Sequence, residues 1–419
     1  MMKYSRILGM EDIYPDKSAK WDYIIETAKN VSLRYNYRHI ITPLLEYTEL
    51  FKRGIGDETD IVSKEMYTFE DRGGRSLTLR PEGTASVVRA YCENGDYNRL
   101  SSCKFFYFGQ MFRAEKPQKG RLRQFNQFGI EFFGEDDPYY DFEAVSLMNT
   151  ITMELKISDY ELHINSIGCS ECRPEYIKKL KDYYSEHLNE LCEECKRRLE
   201  KNPLRLLDCK NEKCSILKNN APKINEHLCS GCGNHHEVFK NYMKSAGIKY
   251  VENPYLVRGL DYYCKTTFEF ISPQLGSQGT FAGGGRYNTL VEMFGGKPTP
   301  AVGFGAGLER LLLIIEDRLE VKNNIDIYII HSGEQTLQKA VQISEELRSS
   351  GFSVDLEPGR KGFKSQFSKA DKWESSYALI IGEEEISQGK CSVKNLSSGI
   401  QENIEFSSIL SYFRNRNLK

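Results

Sequence analysis

The chain has 419 residues, of which 40% are apolar, so it can bury more than one hydrophobic core and is expected to form two or three domains. Its formal net charge of -2 excludes a protein that coats nucleic acid by bulk positive charge, although local basic segments can still bind one folded RNA. The first ten residues lack the apolar segment of a signal peptide, and no apolar run could cross a bilayer. We therefore expect a cytoplasmic protein with no membrane partner.

The first three quarters of the chain have the element order of an α+β domain built on an antiparallel sheet. Apolar residues at helical spacing predict a helix from Ser18, and residues 37–44 then read as a strand. Further strands are predicted at 76–79, 105–112, 124–133, 160–164, 263–271 and 301–306. Helices are predicted after Asp141 and, with the pattern of a buried helix, at 308–315.

A cysteine-rich segment at about 168–236 interrupts this order. It holds eight of the twelve cysteines among lysines and glutamates that are patterned as surface helices, so we interpret it as an insertion within the catalytic domain. Disulfides are disfavoured in the cytoplasm, which leaves metal ligation or simple burial as explanations for the cysteines.

The C-terminal quarter predicts a separate domain. Strands at 325–330, 352–356 and 377–381 alternate with a helix at 336–349, which indicates a three-layer α/β domain with parallel pairing. The predicted division is 1–324 and 325–419. A short acidic cluster at 383–385 is interpreted as a solvated turn.

Two segments place cations where a nucleoside triphosphate can bind. Arg113 follows a predicted strand, and a guanidinium presents a planar fork of donors to phosphate oxygens. The loop after it adds Lys116, Lys119, Arg121 and Arg123. In the second segment, 303–310, glycines let a strand and a helix pack closely, and Arg310 emerges in the first helical turn. An exposed basic hairpin is the structural alternative for the first segment.

The joint order of these segments resembles motifs 2 and 3 of the class II aminoacyl-tRNA synthetases, and residues 21–43 are similar to motif 1. The blocks 256–263 (LVRGLDYY) and 282–287 (AGGGRY) look like the signature peptides of the histidyl-tRNA synthetase family. The resemblance extends to 79–84 and, in the C-terminal domain, to 364–382. It departs at Asn288, where an Asp often stands, and at Lys116, where an Arg is common.

The resemblance implies an amino-acid site. By this resemblance, the ammonium of L-histidine would be bound by Glu82, Thr84 and Gln127, with Gly83 in the same segment. Glu131 and Tyr263 would bracket the imidazole. Tyr262 and Tyr287 would shape the pocket. Such a pocket, built to hydrogen-bond a polar side chain, would reject analogues without editing. Away from their motifs, these residues would be ordinary strand aromatics and a helix cap.

The resemblance also implies how ATP binds. Arg113 and Arg258 are the expected catalytic residues, on opposite sides of the α-phosphate. Arg310 and Arg121 would hold the outer phosphates with Mg²⁺, Glu115 would meet the adenine amino group, and Phe125 would meet the ring face. The structural alternative for Arg258 is an ion pair with Asp261. For the transfer step no side-chain base stands out, so a phosphate oxygen or a water is the candidate proton acceptor.

Partners follow from the same resemblance. The C-terminal domain is similar to an anticodon-binding domain for tRNA(His), with possible phosphate contacts from Arg360, Lys361, Lys364, Lys369 and Lys372, or else a solvated helix face. A homodimer with motif 1 across the two-fold axis is expected. The alternative function is a non-charging regulatory subunit of histidine biosynthesis, which would not need the arginine set or the C-terminal domain.

The cysteine spacing of the insertion suits tetrahedral zinc. Four pairs follow one another, and they suffice for two structural Zn²⁺ sites: Cys169 and Cys172, Cys192 and Cys195, Cys209 and Cys214, Cys229 and Cys232. The sequence does not establish how the pairs combine. His227, His235 and His236 are alternative ligands.

Overall fold

The computed structural model describes residues 4–56, 59–320, 324–359 and 362–416, without the side chains of 277 and 278. The chain divides into two compact units, 1–320 and 321–419. Arg360 and Lys361, two of the expected tRNA contacts, lie outside the described residues. In the part of the chain that is described, no helix is long and apolar enough to span a membrane.

The first unit contains eleven strands and ten helices within the described residues. The strands are β1 (Arg38–His39), β2 (Leu45–Tyr47), β3 (Tyr67–Glu70), β4 (Ser76–Leu79), β5 (Cys103–Phe112), β6 (Gln124–Phe133), β7 (Glu161–Ser166), β8 (Val251–Glu252), β9 (Cys264–Ile271), β10 (Thr280–Arg286) and β11 (Ala301–Gly307). The helices are α1 (Pro15–Arg34), α2 (Thr48–Ile55), α3 (Thr84–Glu93), α4 (Pro138–Glu154), α5 (Arg173–Glu186), α6 (Glu193–Lys201), α7 (Glu212–Lys218), α8 (Ser230–Ser245), α9 (Leu290–Met293) and α10 (Leu308–Ile315).

Eight of these strands form one sheet in the order β1-β5-β6-β11-β10-β9-β7-β8. The six inner strands pair antiparallel, as predicted. The two outer pairs, β1 with β5 and β7 with β8, are parallel, so the sheet is mixed at its edges. A smaller antiparallel sheet has the order β2-β4-β3.

The alternation of side chains along β6 separates the hydrophobic core from the site. Phe128, Ile130 and Phe132 point to the face covered by α1, α4 and α10, where they join the main core. Successive side chains of a strand point to opposite faces, so Gln127, Gly129 and Glu131 face the other way. That second face carries an aromatic cluster that includes Tyr107, Phe133 and three tyrosines of the signature blocks.

The insertion folds on its own small core within the first unit. Helices α5, α6 and α7 and a 3-10 helix at Pro203–Asp208 pack around buried residues such as Tyr176, Leu180 and Leu206. Half-buried Val257, in the first signature block, packs against both this core and the aromatic cluster. The insertion is thereby in contact with the segment that carries Arg258.

The second unit is a three-layer α/β domain, as predicted. Its strands are β12 (Ile327–His331), β13 (Val354–Leu356), β14 (Tyr377–Ile381), β15 (Lys390–Asn395) and β16 (Gln401–Glu405). Its helices are α11 (Glu334–Ser349), α12 (Phe363–Lys372), α13 (Glu383–Gln388) and α14 (Ile409–Arg414). The order is β13-β12-β14-β15-β16, parallel in the first two pairs and antiparallel in the others. Along β12, Ile327 and Ile329 pack with α11 and α14, whereas Tyr328 and Ile330 pack with α12.

Several predictions of single elements were wrong. Residues 37–44 form a strand only at Arg38–His39. Ile40 N still donates to Phe106 O of β5 at 2.9 Å, but residues 41–44 are not in a strand. The helix predicted after Asp141 begins at Pro138, capped by the side chain of Asp137. The acidic cluster 383–385 is the first turn of α13, where acidic residues are stabilised by the helix dipole, and not a turn.

Candidate active site and cysteine clusters

An arginine-lined cavity of 520 Å³ opens on the second face of the large sheet. Four guanidinium groups line it, from Arg113, Arg121, Arg258 and Arg310. The other expected ATP residues, Glu115 and Phe125, line it as well, together with Gln127. The structure therefore brings together segments that are nearly 200 residues apart in the sequence.

Two arginines of this cavity, Arg113 and Arg310, are oriented by main-chain carbonyl groups. Arg113 Nε donates to Pro81 O at 2.9 Å, and its Cζ lies 5.2 Å from the centre of the Phe125 ring. Arg310 Nε donates to Gly120 O at 2.8 Å, and its Nη1 donates to Thr280 O. Carbonyls orient a guanidinium without neutralising its charge, which leaves the cavity suited to a polyanion.

The electrostatics of Arg310 show the same excess of positive charge. Burial, together with the nearby charges of Arg121 and Arg113, lowers the pKa of Arg310 to about 10. Two of the cavity's arginines have a carboxylate partner: Arg121 Nη1 lies 2.8 Å from Glu115 Oε2, and Arg258 pairs with Glu269. An adenine amino group at Glu115 would share that carboxylate with Arg121.

Arg258 lies where the cavity meets the aromatic cluster. Its Nη1 pairs with Glu269 Oε1, and its Cζ lies 5.9 Å from the centre of the Tyr263 ring. The buried Nε of Arg258 has no hydrogen-bond partner among the described residues. The ion pair with Asp261 considered from the sequence is not formed, because the Arg258 head group turns to Glu269 while Asp261 accepts from Asn202.

Two glycines make room for the charged side chains. A Cβ added at Gly283 would lie 2.5 Å from Arg258 Nη1, and one at Gly303 would lie 2.0 Å from Glu131 Oε2. Both distances are shorter than real Cβ contacts allow. Close approach of a side chain thus explains Gly283 in the signature block and Gly303 in the 303–310 segment.

The residues expected to bind histidine form a buried polar cluster next to the cavity. Glu131 is at its centre: Thr84 Oγ1 donates to Oε1 at 2.6 Å, Tyr287 OH donates to Oε2, and Tyr107 OH lies 3.5 Å from Oε1. Burial raises the pKa of Glu131 to about 8, against the hydrogen bonds from Thr84 and Tyr287. Of the expected histidine-binding residues, Gln127 also lines the cavity itself.

Glu82 and the tyrosines complete this cluster. Glu82 accepts hydrogen bonds from the main-chain N–H groups of Thr84 at 2.7 Å and Ala85 at 2.8 Å, so it does cap α3, and burial raises its pKa. The ring of Tyr262 lies 4.6 Å from that of Tyr263 and 5.5 Å from that of Tyr287. The buried Tyr262 hydroxyl meets no hydrogen-bond partner at normal geometry among the described residues.

Arg286, in the second signature block, has a structural role. Its fully buried guanidinium pairs with buried Asp141 and with Asp136, the latter at 3.1 Å. His235 Nε2, on α8, lies 3.2 Å from Asp141 Oδ2. Asn288 donates from Nδ2 to Asp136 Oδ1 at 3.0 Å, a bond that an ionised Asp at this position could not donate.

The eight cysteines of the insertion form two clusters. Cluster 1 is Cys169, Cys172, Cys229 and Cys232; cluster 2 is Cys192, Cys195, Cys209 and Cys214. In each cluster the four sulfurs lie within 4.8 Å of one another, and adjacent sulfurs are 3.8 to 3.9 Å apart where they contact. A disulfide needs about 2.05 Å, whereas zinc at about 2.3 Å from four sulfurs sets them roughly 3.8 Å apart.

The histidines proposed as alternative ligands are engaged elsewhere. His235 pairs with Asp141, His236 Nε2 lies 3.2 Å from Glu252 Oε1, and His227 Nδ1 lies 3.3 Å from Lys179 Nζ. Within the described residues, neither cluster includes a histidine.

Three charged residues of the cavity that lie outside the motif segments were not predicted from the sequence. Glu269, on β9, pairs with Arg258, and Asp208 and Lys210, from the insertion, line the same cavity. None of them belongs to a motif. Two features of the sequence could have indicated them: Glu269 lies in a predicted strand, and Asp208 and Lys210 flank Cys209.

The chain is similar to known proteins over nearly its whole length. Family models match residues 9–311 as histidyl-tRNA synthetase and residues 326–416 as an anticodon-binding domain. The histidine–tRNA ligase of Halothermothrix orenii is 49% identical over 405 residues, 96% of this chain and 97% of that protein. The crystal structure of apo histidyl-tRNA synthetase from Staphylococcus aureus has a TM-score of 0.83 at 36% identity, covering 99% of this chain and 100% of the other.

A further solved structure bears on the regulatory alternative. It is described as an ATP phosphoribosyltransferase regulatory subunit/histidyl-tRNA synthetase from Bacillus halodurans, with a TM-score of 0.64 and 21% identity over 91% of this chain and 99% of that one. At this identity the likeness concerns the fold alone.

The mainly antiparallel sheet, with arginines on its open face and an appended α/β domain, defines a class II aminoacyl-tRNA synthetase. Within this class, the family model that matches residues 9–311 and the 49% identical relative from Halothermothrix orenii are both named for histidine. The chain belongs to the histidyl-tRNA synthetase family.

Proposed function

We propose that the chain is a histidine–tRNA ligase, which activates L-histidine with ATP to histidyl adenylate and pyrophosphate and then transfers the histidine to the 3′ end of tRNA(His). The observation that carries this is the position of Arg258 between two sites. Its guanidinium lines the ATP-sized cavity and lies 5.9 Å from the ring of Tyr263 in the polar cluster. A carboxylate held in the cluster and a phosphate held in the cavity would meet at this residue.

The polar cluster is proposed as the histidine pocket. Glu82, Gly83, Thr84 and Gln127 form the ammonium end, and Glu131 with Tyr263 holds the imidazole, while Tyr262 and Tyr287 shape the walls. The partnerless Tyr262 hydroxyl and the hydrogen-bonded Glu131 support this assignment. A substrate without a polar ring would leave these buried groups without hydrogen bonds. We therefore expect its kcat/KM to be lower than that of histidine by a factor of roughly 10⁴ to 10⁵.

In the cavity, we propose that catalysis is positioning and charge stabilisation. The histidine carboxylate attacks the α-phosphorus in line, and Arg113 and Arg258 stabilise the charge that develops on the α-phosphate oxygens. Arg121 and Arg310 bind the outer phosphates together with Mg²⁺, and Glu115 and Phe125 bind the adenine. The lowered pKa of Arg310 supports an anion site there.

In the second step the terminal ribose hydroxyl of tRNA attacks the adenylate. No described side chain is assigned as the base, and a phosphate oxygen or a water accepts the proton. The second unit, which matches an anticodon-binding domain, would bind the anticodon with help from the exposed Lys364 and Lys372 of α12. Lys369 is half-buried and pairs with Glu357 at 2.7 Å.

The assembly and location are proposed on the same basis. A homodimer formed by the motif 1 segment is supported by apolar side chains, at its end and directly after it, that are exposed in the single chain: Ile41, Leu44, Leu45 and Tyr47. A cytoplasmic location agrees with twelve cysteines that form no disulfide among the described residues.

We further propose structural Zn²⁺ in both cysteine clusters. The sulfur spacing fits tetrahedral coordination, and main-chain N–H groups donate to sulfur in each cluster, from Cys169 to Cys172 at 3.2 Å and from Cys192 to Cys214 at 3.3 Å. Four thiolates leave no open position, so the metals are structural and not catalytic.

Histidine acceptance by a tRNA pool tests the proposed function. The protein, given ATP, Mg²⁺ and labelled histidine, should charge tRNA(His) and no other acceptor. A protein that binds histidine but charges no tRNA would support the regulatory alternative, which the nearly full-length ligase relative and the anticodon-binding domain disfavour.

A further inference from the structure

The insertion contributes two charged side chains to the arginine-lined cavity. Asp208 ends the 3-10 helix Pro203–Asp208, and Lys210 stands two residues further on. Both line the cavity together with Arg121 and Arg310. Both are exposed to solvent, and neither makes a hydrogen bond or ion pair with another residue in the described ranges.

The residue between them belongs to cysteine cluster 2. Cys209 Sγ lies 3.9 Å from Cys192 Sγ, and Cys195 and Cys214 complete the cluster. The segment before Cys209 is anchored by Leu206 and Leu207, which are buried in the small core of the insertion. A core of this size supplies limited stability by itself, so a metal on Cys209 would fix the conformation of Asp208 and Lys210.

The same segment is docked on the loop that carries Arg258. Arg205 Nη1 donates to Arg258 O at 3.3 Å, and Arg198 Nη2 lies 3.0 Å from Asp60 Oδ2. Arg205 is itself buried. The position of Lys210 relative to the phosphate-binding arginines is therefore set on one side by cluster 2 and on the other by Arg205.

From these contacts we infer that the insertion is part of the ATP site: Zn²⁺ in cluster 2 holds Lys210 in the cavity, where its ammonium binds the pyrophosphate portion of ATP. The inference rests on the proposed ATP-dependent activation. The Lys210 ammonium forms no ion pair among the described residues and lies in a cavity with Arg121 and Arg310, so a bound polyphosphate would supply its counter-charge. Asp208 limits the local excess of positive charge when the cavity holds no ligand.

The test compares Lys210→Gln with Lys213→Gln in the full-length protein. Lys213 is an exposed lysine three residues further on, and it does not line the cavity. In histidine-dependent ATP–pyrophosphate exchange, Lys210→Gln should raise the KM for ATP about tenfold or more, as expected for one charge-assisted contact. The KM for histidine should stay unchanged, and Lys213→Gln should behave as wild type.

The role of the metal is tested with Cys209→Ser. Zinc content should fall from two per chain to one, and the KM for ATP should rise as in Lys210→Gln. Cys229→Ser, which removes the metal of cluster 1, reports any general effect of zinc loss.

The possible results distinguish three points: the contact of Lys210 with ATP, the role of zinc, and the proposed activation of histidine. An unchanged KM for ATP in Lys210→Gln would overturn the inference, and zinc loss in Cys209→Ser without an effect on ATP would overturn the role of the metal. If the wild type shows no exchange, the proposed activation fails. Direct calorimetric titration of wild type and Lys210→Gln with Mg-ATP would then still decide whether Lys210 binds the nucleotide.

Discussion

The guanidinium of Arg205 donates a hydrogen bond to the main-chain carbonyl of Arg258 at 3.3 Å. This contact joins the cysteine-rich insertion to the residue that stands between the two proposed substrate sites. The carbonyl holds the Arg258 backbone, Glu269 holds its head group, and Gly283 leaves the space that the head group occupies. Three separate segments of the chain thus determine the position of one guanidinium.

Gly283→Ala should move that guanidinium without unfolding the protein. The new Cβ would lie 2.5 Å from Arg258 Nη1, and the flexible side chain can shift where a main-chain atom could not. Loss of one aligned donor costs about 100-fold or more in rate, so kcat for pyrophosphate exchange should fall by that order. The matched control is Gly233→Ala on α8, where a Cβ meets nothing within 4 Å. Equal activity of the two variants would refute the role of Gly283.

Glu131 should make the ligand-free protein less stable as the pH rises. Burial raises its folded-state pKa from 4.5 to about 8, so between these values the folded protein retains a proton that the unfolded chain has released. The free energy of unfolding therefore falls with rising pH across this window, by at most about 1.4 kcal/mol per pH unit for this group. Glu131→Gln should flatten the dependence in urea unfolding. An unchanged slope would show that Glu131 is ionised throughout.

Asp141→Ala should be strongly destabilising. It leaves the fully buried Arg286 guanidinium without its main carboxylate, and removing one partner of a buried pair costs about 3 to 5 kcal/mol. Asp136→Ala is the control, because that side chain is 42% exposed and its loss should cost far less. Chemical unfolding of both variants gives the comparison, and similar losses would contradict the structural role assigned to Asp141.

The proposed dimer depends on the apolar segment after β1. Ile41 is 80% exposed in the single chain, and a charge there should prevent association. Light scattering should give a dimer for wild type and a monomer for Ile41→Asp, while Ile400→Asp, at a 62% exposed position of the second unit, should remain a dimer. A monomeric wild type would exclude the proposal.

The sequence predicted the fold where hydrophobic periodicity was clear. The bounds of β6 agree with the prediction, because its apolar residues alternate between two buried faces. Strand β10 was missed, since Gly283, Gly284 and Gly285 are unfavourable in strands. They are explained by the close approach of the Arg258 side chain at Gly283 and of neighbouring main-chain atoms at Gly284 and Gly285. The acidic start of α13 was mistaken for a turn because the helix has only six residues, too few to show a helical period of apolar residues in the sequence.

For the candidate site, motifs indicated the arginines but not their partners. Arg258 was singled out from its signature block, whereas Glu269 lies in a different strand and no spacing rule connects the two. The pairing of the cysteines was likewise left open, because Cys169 and Cys229 are 60 residues apart yet their sulfurs lie 3.9 Å from each other. Lys210 reaches the cavity through the fold of the insertion, which local sequence does not encode.

ATP–pyrophosphate exchange with each amino acid, for wild type and Arg258→Ala, tests directly whether the protein activates histidine and whether Arg258 is required. We expect exchange with histidine alone, and its loss in the variant, because Arg258 is the group that stabilises charge at the α-phosphate. Exchange that persists undiminished in Arg258→Ala, or a folded wild type that binds histidine without any exchange, would contradict this expectation.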